Sequence, residues 1–192
     1  MPSCEEMDYA PGQDTVRLRL LKTRTVLIGG PVDEELAETV IAELLVLDAE
    51  SHDPIRVIIA TPGGSVDVGF AIHDMLRYVE SEIFTIGAGQ VASMGIPLLL
   101  AAEKARRFAL PNTRFMIHQP LGGIGGYAKD IRIAAQEILK TRAHLNELIA
   151  QETGQPIEKV NADSDRDYWL GTQEAVAYGL VSKVIRKAKE VG

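Results

Sequence analysis

Ser93 lies in the stretch Gly89-Gln90-Val91-Ala92-Ser93-Met94-Gly95-Ile96-Pro97, between the apolar runs 83–86 and 98–102. The pattern predicts a buried strand that stops at glycines and a buried helix that starts at the serine. Acyl-transfer enzymes hold a nucleophilic hydroxyl on such a turn, where free N–H groups of the helix start can bind an oxyanion. A serine there also serves as a plain N-cap. A serine nucleophile needs a base, and the chain has four histidines, His52, His73, His118 and His144. His73 and His144 fall inside predicted helices and His52 in a polar loop. His118 follows the apolar Phe115-Met116-Ile117 and precedes Gln119-Pro120 and a glycine-rich run, which mounts an imidazole rigidly beside an open cleft. Imidazole is the side chain whose titration range suits the deprotonation of a hydroxyl near neutral pH. A carboxylate should then orient that ring. Asp163, Asp165 and Asp167 are candidates; the first two read as a solvated turn, whereas Asp167 abuts the apolar Tyr168-Trp169-Leu170. Spacing alone does not choose among them.

The elements that must position these groups alternate. Thr25–Ile28, Arg56–Thr61 and 83–87 read as strands, each followed by a glycine-bearing turn and a helix (33–50, 66–79 and 94–102). Residues 17–23 fit helix or strand. The strand 56–61 is nearly all apolar, as in a parallel sheet covered on both faces. Two short strands (107–110 and 114–117) precede a long helix over 129–152 that breaks at Gly154. A short helix (156–162), a polar turn (163–167), a helix (173–178) and a strand (181–185) complete the chain. This is an α/β fold with a largely parallel sheet, and in such sheets chemistry collects at the carboxyl ends of strands, where Gly63-Gly64, Ser93 and His118 all fall. Residues 1–15 read as a flexible tail and 16–192 as one domain.

Composition narrows the function. Of 192 residues 46% are hydrophobic, which fits a folded domain, and the net charge of −7 argues against nucleic acid or an anionic membrane as the main partner. The one cysteine, Cys4, allows no intrachain disulfide or cysteine-based metal site. No apolar run reaches ~18 residues and no signal peptide is recognisable, so the expectation is a cytoplasmic protein without a membrane span. No metal-ligand pattern occurs. The glycine-rich 122–126 run lacks the strand-then-helix context of a phosphate loop, so no cofactor is expected.

The segments TPGGSV (61–66), GQVASMG (89–95), RFMIHQPLGG (114–123), EILKTRAHLNELIAQETGQ (137–155) and DSDRDYWL followed by EAVAYGLV occur in the order found in the ClpP family, the proteolytic subunits of caseinolytic (Clp) proteases. The chain resembles that family from about Thr25 to Ile185. The resemblance implies a repeated β-β-α superhelical fold shared with crotonases, with a protruding handle over about 119–152. It implies a serine endopeptidase that cleaves unfolded polypeptides. Ser93 matches the nucleophile, His118 the general base and Asp167 the triad carboxylate. The N–H groups of Gly64 and Met94 match the oxyanion hole. Gly63 and Ser65 on one side, and Leu121, Gly122 and Gly123 on the other, match the edges that clamp substrate as an added strand. Arg166 matches a contact between rings, and the family assembles as two stacked heptameric rings fed by a hexameric AAA+ ATPase unfoldase.

The resemblance is uneven. Residues 7–20 depart from the family's usual N-terminal segment. Arg56 and Ile58 stand where aromatic residues usually help to form the ATPase docking pocket, although Tyr78 and Phe108, further contributors, are aromatic. These departures point to a divergent paralogue with an altered or absent unfoldase, or one that mixes with a second subunit type. A non-catalytic ring subunit would lack triad residues, which are all present here. A crotonase-type acyl-CoA enzyme would want paired carboxylates near the glycine turn, and Asp67 alone is a poor match.

Overall fold

The computed structural model describes residues 13–121 and 125–191. The chain begins with helix α1 (Gln13–Lys22), then strand β1 (Thr25–Gly29), α2 (Glu34–Glu50), β2 (Ile55–Thr61), α3 (Val66–Tyr78), β3 (Ile83–Ala92) and α4 (Gly95–Leu100). It continues with β4 (Arg107–Ala109), β5 (Arg114–Ile117), α5 (Ala128–Thr153), α6 (Ile157–Asp163), β6 (Tyr168–Leu170), α7 (Thr172–Tyr178) and β7 (Lys183–Val184). The segment 17–23 is thus helical to Lys22, and that helix already begins at Gln13, inside the stretch expected to be a tail; residues 1–12 lie outside the described residues.

β1, β2, β3, β4 and β7 run side by side in that order, each pair parallel. Asp33 caps α2 as its type predicts, accepting the N–H of Leu36 at 3.0 Å. The core lies between the sheet and α2, α3 and α4. Val26, Ile28, Val57, Ile59, Leu44 and Ile72 are all fully buried. Cover on both faces, expected for β2, is not what the sheet has. Along β2 the burial alternates, with Ile55, Val57, Ile59 and Thr61 inside and Arg56, Ile58 and Ala60 only half-buried. On β1 Leu27 is exposed. The helices pack on one side and leave much of the other face open.

β3 is the element that builds the site. The sequence predicts its end near residue 87, at the glycines, whereas the strand continues to Ala92. Gly89 takes a φ of +62°, and the pairing with β2 jumps from Ile59↔Gly87 to Thr61↔Val91. This bulge re-aims the strand rather than ending it. Its first half pairs with β4 and its second half, Gln90–Ala92, pairs with β5. β5 in turn pairs antiparallel with β6. The apolar Tyr168–Leu170 is too short to show an alternating pattern in the sequence, and here it forms a strand.

α5 spans 26 residues, roughly 39 Å at ~1.5 Å per residue. Gly154 closes it in a left-handed conformation (φ +79°), where the sequence predicts a break. Only Leu145, Asn146, Ile149 and Thr153 are buried, all in its C-terminal part, while Ile131, Ile133 and Leu139 are exposed. The helix therefore projects from the sheet as the expected handle. Its root is tied down by the buried Arg107, whose guanidinium donates to the carbonyl oxygens of Ala102 (2.7 Å) and Glu152 (2.9 Å) and pairs with the Glu152 carboxylate.

Candidate active site

Ser93 is not a helix cap. It stands one residue before Met94, the N-cap of α4, with a φ of +53°. That is the left-handed region, which costs a residue with a Cβ of order 1 kcal/mol and persists only where its surroundings enforce it. Three contacts do so. The Ser93 N–H donates to the Met116 carbonyl oxygen at 2.9 Å, and the Ser93 carbonyl oxygen accepts the Ile96 N–H at 3.0 Å. Beneath the turn lies Gly63, itself at φ +93°, where a Cβ would stand 2.6 Å from Ser93 Cβ and 2.9 Å from Met94 N. Gly63 thus supports the serine turn from below.

His118 Nε2 accepts the Ser93 hydroxyl at 2.8 Å, and its Nδ1 lies 3.0 Å from Asp167 Oδ1. A carboxylate at Nδ1 selects the tautomer with a proton there and a free acceptor at Nε2, which a base toward serine requires. The pairing of β5 with β6 explains why Asp167 is the partner among the three aspartates. Phe115↔Leu170, Met116↔Trp169 and Ile117↔Tyr168 are register partners, so the next residues along, His118 and Asp167, come opposite one another. Arg114 stacks its guanidinium over the Trp169 ring at 4.2 Å across the same pair of strands. Asp165 is instead exposed and faces Arg142. Asp163 is less solvated than expected: its carboxylate accepts from Lys159 Nζ (2.6 Å) and the Tyr178 hydroxyl (3.0 Å).

Gly64 lies flat against Val32, where a Cβ would meet the Val32 carbonyl oxygen at 2.3 Å. The bridge between them uses the N–H groups of Val32 (to Gly63, 3.0 Å) and Ser65 (to Val32, 2.8 Å), so the Gly64 N–H takes no part in it. Met94 buries its side chain against Gly69, which fixes the peptide that precedes α4. A small apolar cavity of about 20 Å³ opens between Ser93 and His118, walled by Val66, Ile96, Pro97, Leu145 and Ile149 among others. Ser65 is exposed at the start of α3 and Leu121 is exposed beyond His118, while Gly122 and Gly123 lie outside the described residues. Arg166 is exposed beside Asp167.

The remaining histidines are elsewhere. His52 lies between Asp48 and Glu80. His73 is buried with no partner for Nε2, and burial holds its pKa below the usual 6.5. His144 packs on the Phe70 ring at 4.9 Å. No group of histidine, cysteine and carboxylate side chains that could hold a metal occurs among the described residues, and no described helix is long and apolar enough to cross a membrane.

Residues 10–188 match the model of the Clp protease family. The ATP-dependent Clp protease proteolytic subunit 3 of Rhizobium meliloti (strain 1021) is 47% identical over 180 residues, covering 94% of this chain and 92% of the relative. The ATP-dependent Clp protease proteolytic subunit 2 of Treponema denticola is 43% identical over 188 residues, covering 97% of this chain and 94% of the relative. Among solved structures, the ClpP1 N165D mutant from Listeria monocytogenes superposes with a TM-score of 0.86 at 45% identity, covering 92% of this chain and 99% of that one. A family model matched over residues 10–188, with a relative 47% identical across 94% of the chain, shows that the chain belongs to the Clp protease family.

Proposed function

We propose that this chain is the proteolytic component of a Clp protease, a serine endopeptidase with Ser93 as nucleophile, His118 as general base and Asp167 as the carboxylate that orients it. The observation that carries the reading is the unbroken relay from the Ser93 hydroxyl to His118 Nε2 (2.8 Å) and from His118 Nδ1 to Asp167 (3.0 Å). His118 takes the hydroxyl proton while Oγ attacks the scissile carbonyl carbon. The Gly64 and Met94 N–H groups receive the oxyanion. His118 then hands its proton to the departing amine, and water, deprotonated in turn by His118, hydrolyses the acyl-enzyme. Val66, Pro97 and Ile149 beside Ser93 form an apolar wall against which the side chain next to the scissile bond lies. The chain edges at 63–65 and 121–123 hold the rest as an added strand, a mode that reads backbone and tolerates many sequences.

The working form is an oligomer of two stacked heptameric rings, of one or two subunit types, served by a Clp ATPase. The exposed Ile131, Ile133 and Leu139 of the handle support an assembled form, since covering the 43–62% of each that is still exposed would contribute about 1–2 kcal/mol. Asp167 itself is 63% exposed in the single subunit, and the exposed Arg166 beside it is the residue we assign to the contact with a second ring. The ATPase reading rests on a groove lined by Arg56, Ile58, Ile86, Leu110 and Ile185, with Thr23 bound to Arg56 at 2.9 Å. Phe108 is buried beside it, and Tyr78, at the end of α3, is not among its lining residues. A groove with arginine and isoleucine in place of aromatic walls fits an altered unfoldase.

The test is hydrolysis of a short fluorogenic peptide by the purified full-length protein beside Ser93→Ala, with assembly mass measured on the same samples. Turnover that disappears in Ser93→Ala is expected. Ring-sized particles without turnover would overturn the catalytic assignment in favour of a structural subunit.

A further inference from the structure

The handle reaches back to the site through two of its side chains. Arg142 and Asn146 are one turn apart on α5, so they share a face. Asn146 is 2% exposed, and its amide donates to the Asn161 side-chain oxygen at 2.7 Å. The Arg142 guanidinium lies 3.3 Å from the Asp165 carboxylate and 3.5 Å from the Asn161 carbonyl oxygen. Both therefore grip the end of α6 and the turn that follows it. That turn is held from other sides as well: Ser164 is fully buried, Asp163 is bound by Lys159 and Tyr178, and the Asp165 carbonyl oxygen accepts Gln119 Nε2 at 2.7 Å. Gln119 is the chain neighbour of His118, and Asp165 is two residues from Asp167. The turn joins the handle to the His118–Asp167 pair.

We propose that Asn146 and Arg142 are positioning residues, which act through the 161–165 turn to hold the exposed Asp167 carboxylate on His118 Nδ1. This rests on the reading of Ser93, His118 and Asp167 as the catalytic residues. Neither residue touches the reacting atoms. Their effect is geometric, and a misplacement of about 1 Å in such a relay can cost up to ~10²-fold in rate. The clamp also gives the root of the handle a route to the site inside one subunit.

Asn146→Leu and Arg142→Gln, in the full-length protein, test this by peptide hydrolysis and by the rate at which a fluorophosphonate acylates Ser93. Assembly mass and melting temperature are followed in each sample. Each variant should lower kcat by about tenfold with KM within about twofold, in particles of wild-type mass. The decisive comparison repeats both changes in an Asp167→Asn background, where acylation should fall less than about twofold further, because the group they position is already gone. Arg142 is partly exposed, so its substitution keeps the test open if Asn146→Leu fails to fold. Unchanged kcat in a folded Arg142→Gln protein, or equal losses in the two backgrounds, would overturn the inference. A wild type no more active than Ser93→Ala would overturn the catalytic reading beneath it.

Discussion

A serine at φ +53° is held in place by its neighbours, and the tightest of them has no side chain. Gly63 and Gly89 both take left-handed conformations, yet they differ in what surrounds them. A Cβ on Gly89 meets nothing within 4 Å, whereas one on Gly63 falls 2.6 Å from Ser93 Cβ. Gly89→Ala should therefore cost about 1 kcal/mol of backbone strain and leave the site intact. Gly63→Ala should displace the serine turn and lower kcat by at least about tenfold, since a nucleophile moved by ~1 Å loses alignment. Denaturant melts and peptide turnover of the two variants separate these effects, and equal activity in both would refute the difference. Much at this scale was legible: a serine among small residues after an apolar run, and a histidine at the end of a strand. The sign of φ at Ser93 was not, because it is imposed by Gly63 and by Met116, residues 30 and 23 positions away in sequence.

Among the elements, the pairing of β5 with β6 decides more than any single residue. Spacing left three aspartates open, and an antiparallel register settles which one faces His118. Neither that register nor the bulge in β3 can be read from periodicity, since β6 has three residues and β3 reads as ended at its glycines. The helices were more legible because their apolar stripes are long and Asp33 and Gly154 mark their ends. α3 carries a further consequence. His73 is buried on it, edge-on to Phe70, with Asp74 at Nδ1 and with Arg77 and Glu152 as nearby charges. Burial lowers its pKa below 6.5, with Asp74 opposing that shift. The folded form thus keeps the ring neutral while the unfolded chain takes up a proton near ~6.5. The contribution to stability is present above that pH and is lost as pH falls below it, toward the lower folded value. The melting temperature should accordingly drop from pH 7 to pH 5, and His73→Leu should flatten that limb. An identical slope in the variant would assign the drop to other groups.

In the molecule as a whole, apolar surface is left where one subunit has nothing to cover it, along the outer handle and on the open face of the sheet. The projecting handle was foreseeable from a helix too long for the domain; the open face was not, because half-buried Ile58 and exposed Leu27 look like core residues in sequence. Leu139 is 62% exposed, so Leu139→Glu should leave the fold of the subunit unchanged within about 0.5 kcal/mol. The same change should disperse the assembly, read by sedimentation beside thermal melts; particles of full mass would remove the outer handle from the contact. The placement of Asp167 has one more consequence, in the order in which the chain is made. Ser93 and His118 are 25 residues apart, but His118 and Asp167 are 49 apart, with the whole handle between them. A growing chain therefore carries Ser93 and His118 for as long as it takes to synthesise α5 and α6, without the strand that brings Asp167 to His118. On the proposed assignment the relay is incomplete in a single chain until β6 has been made.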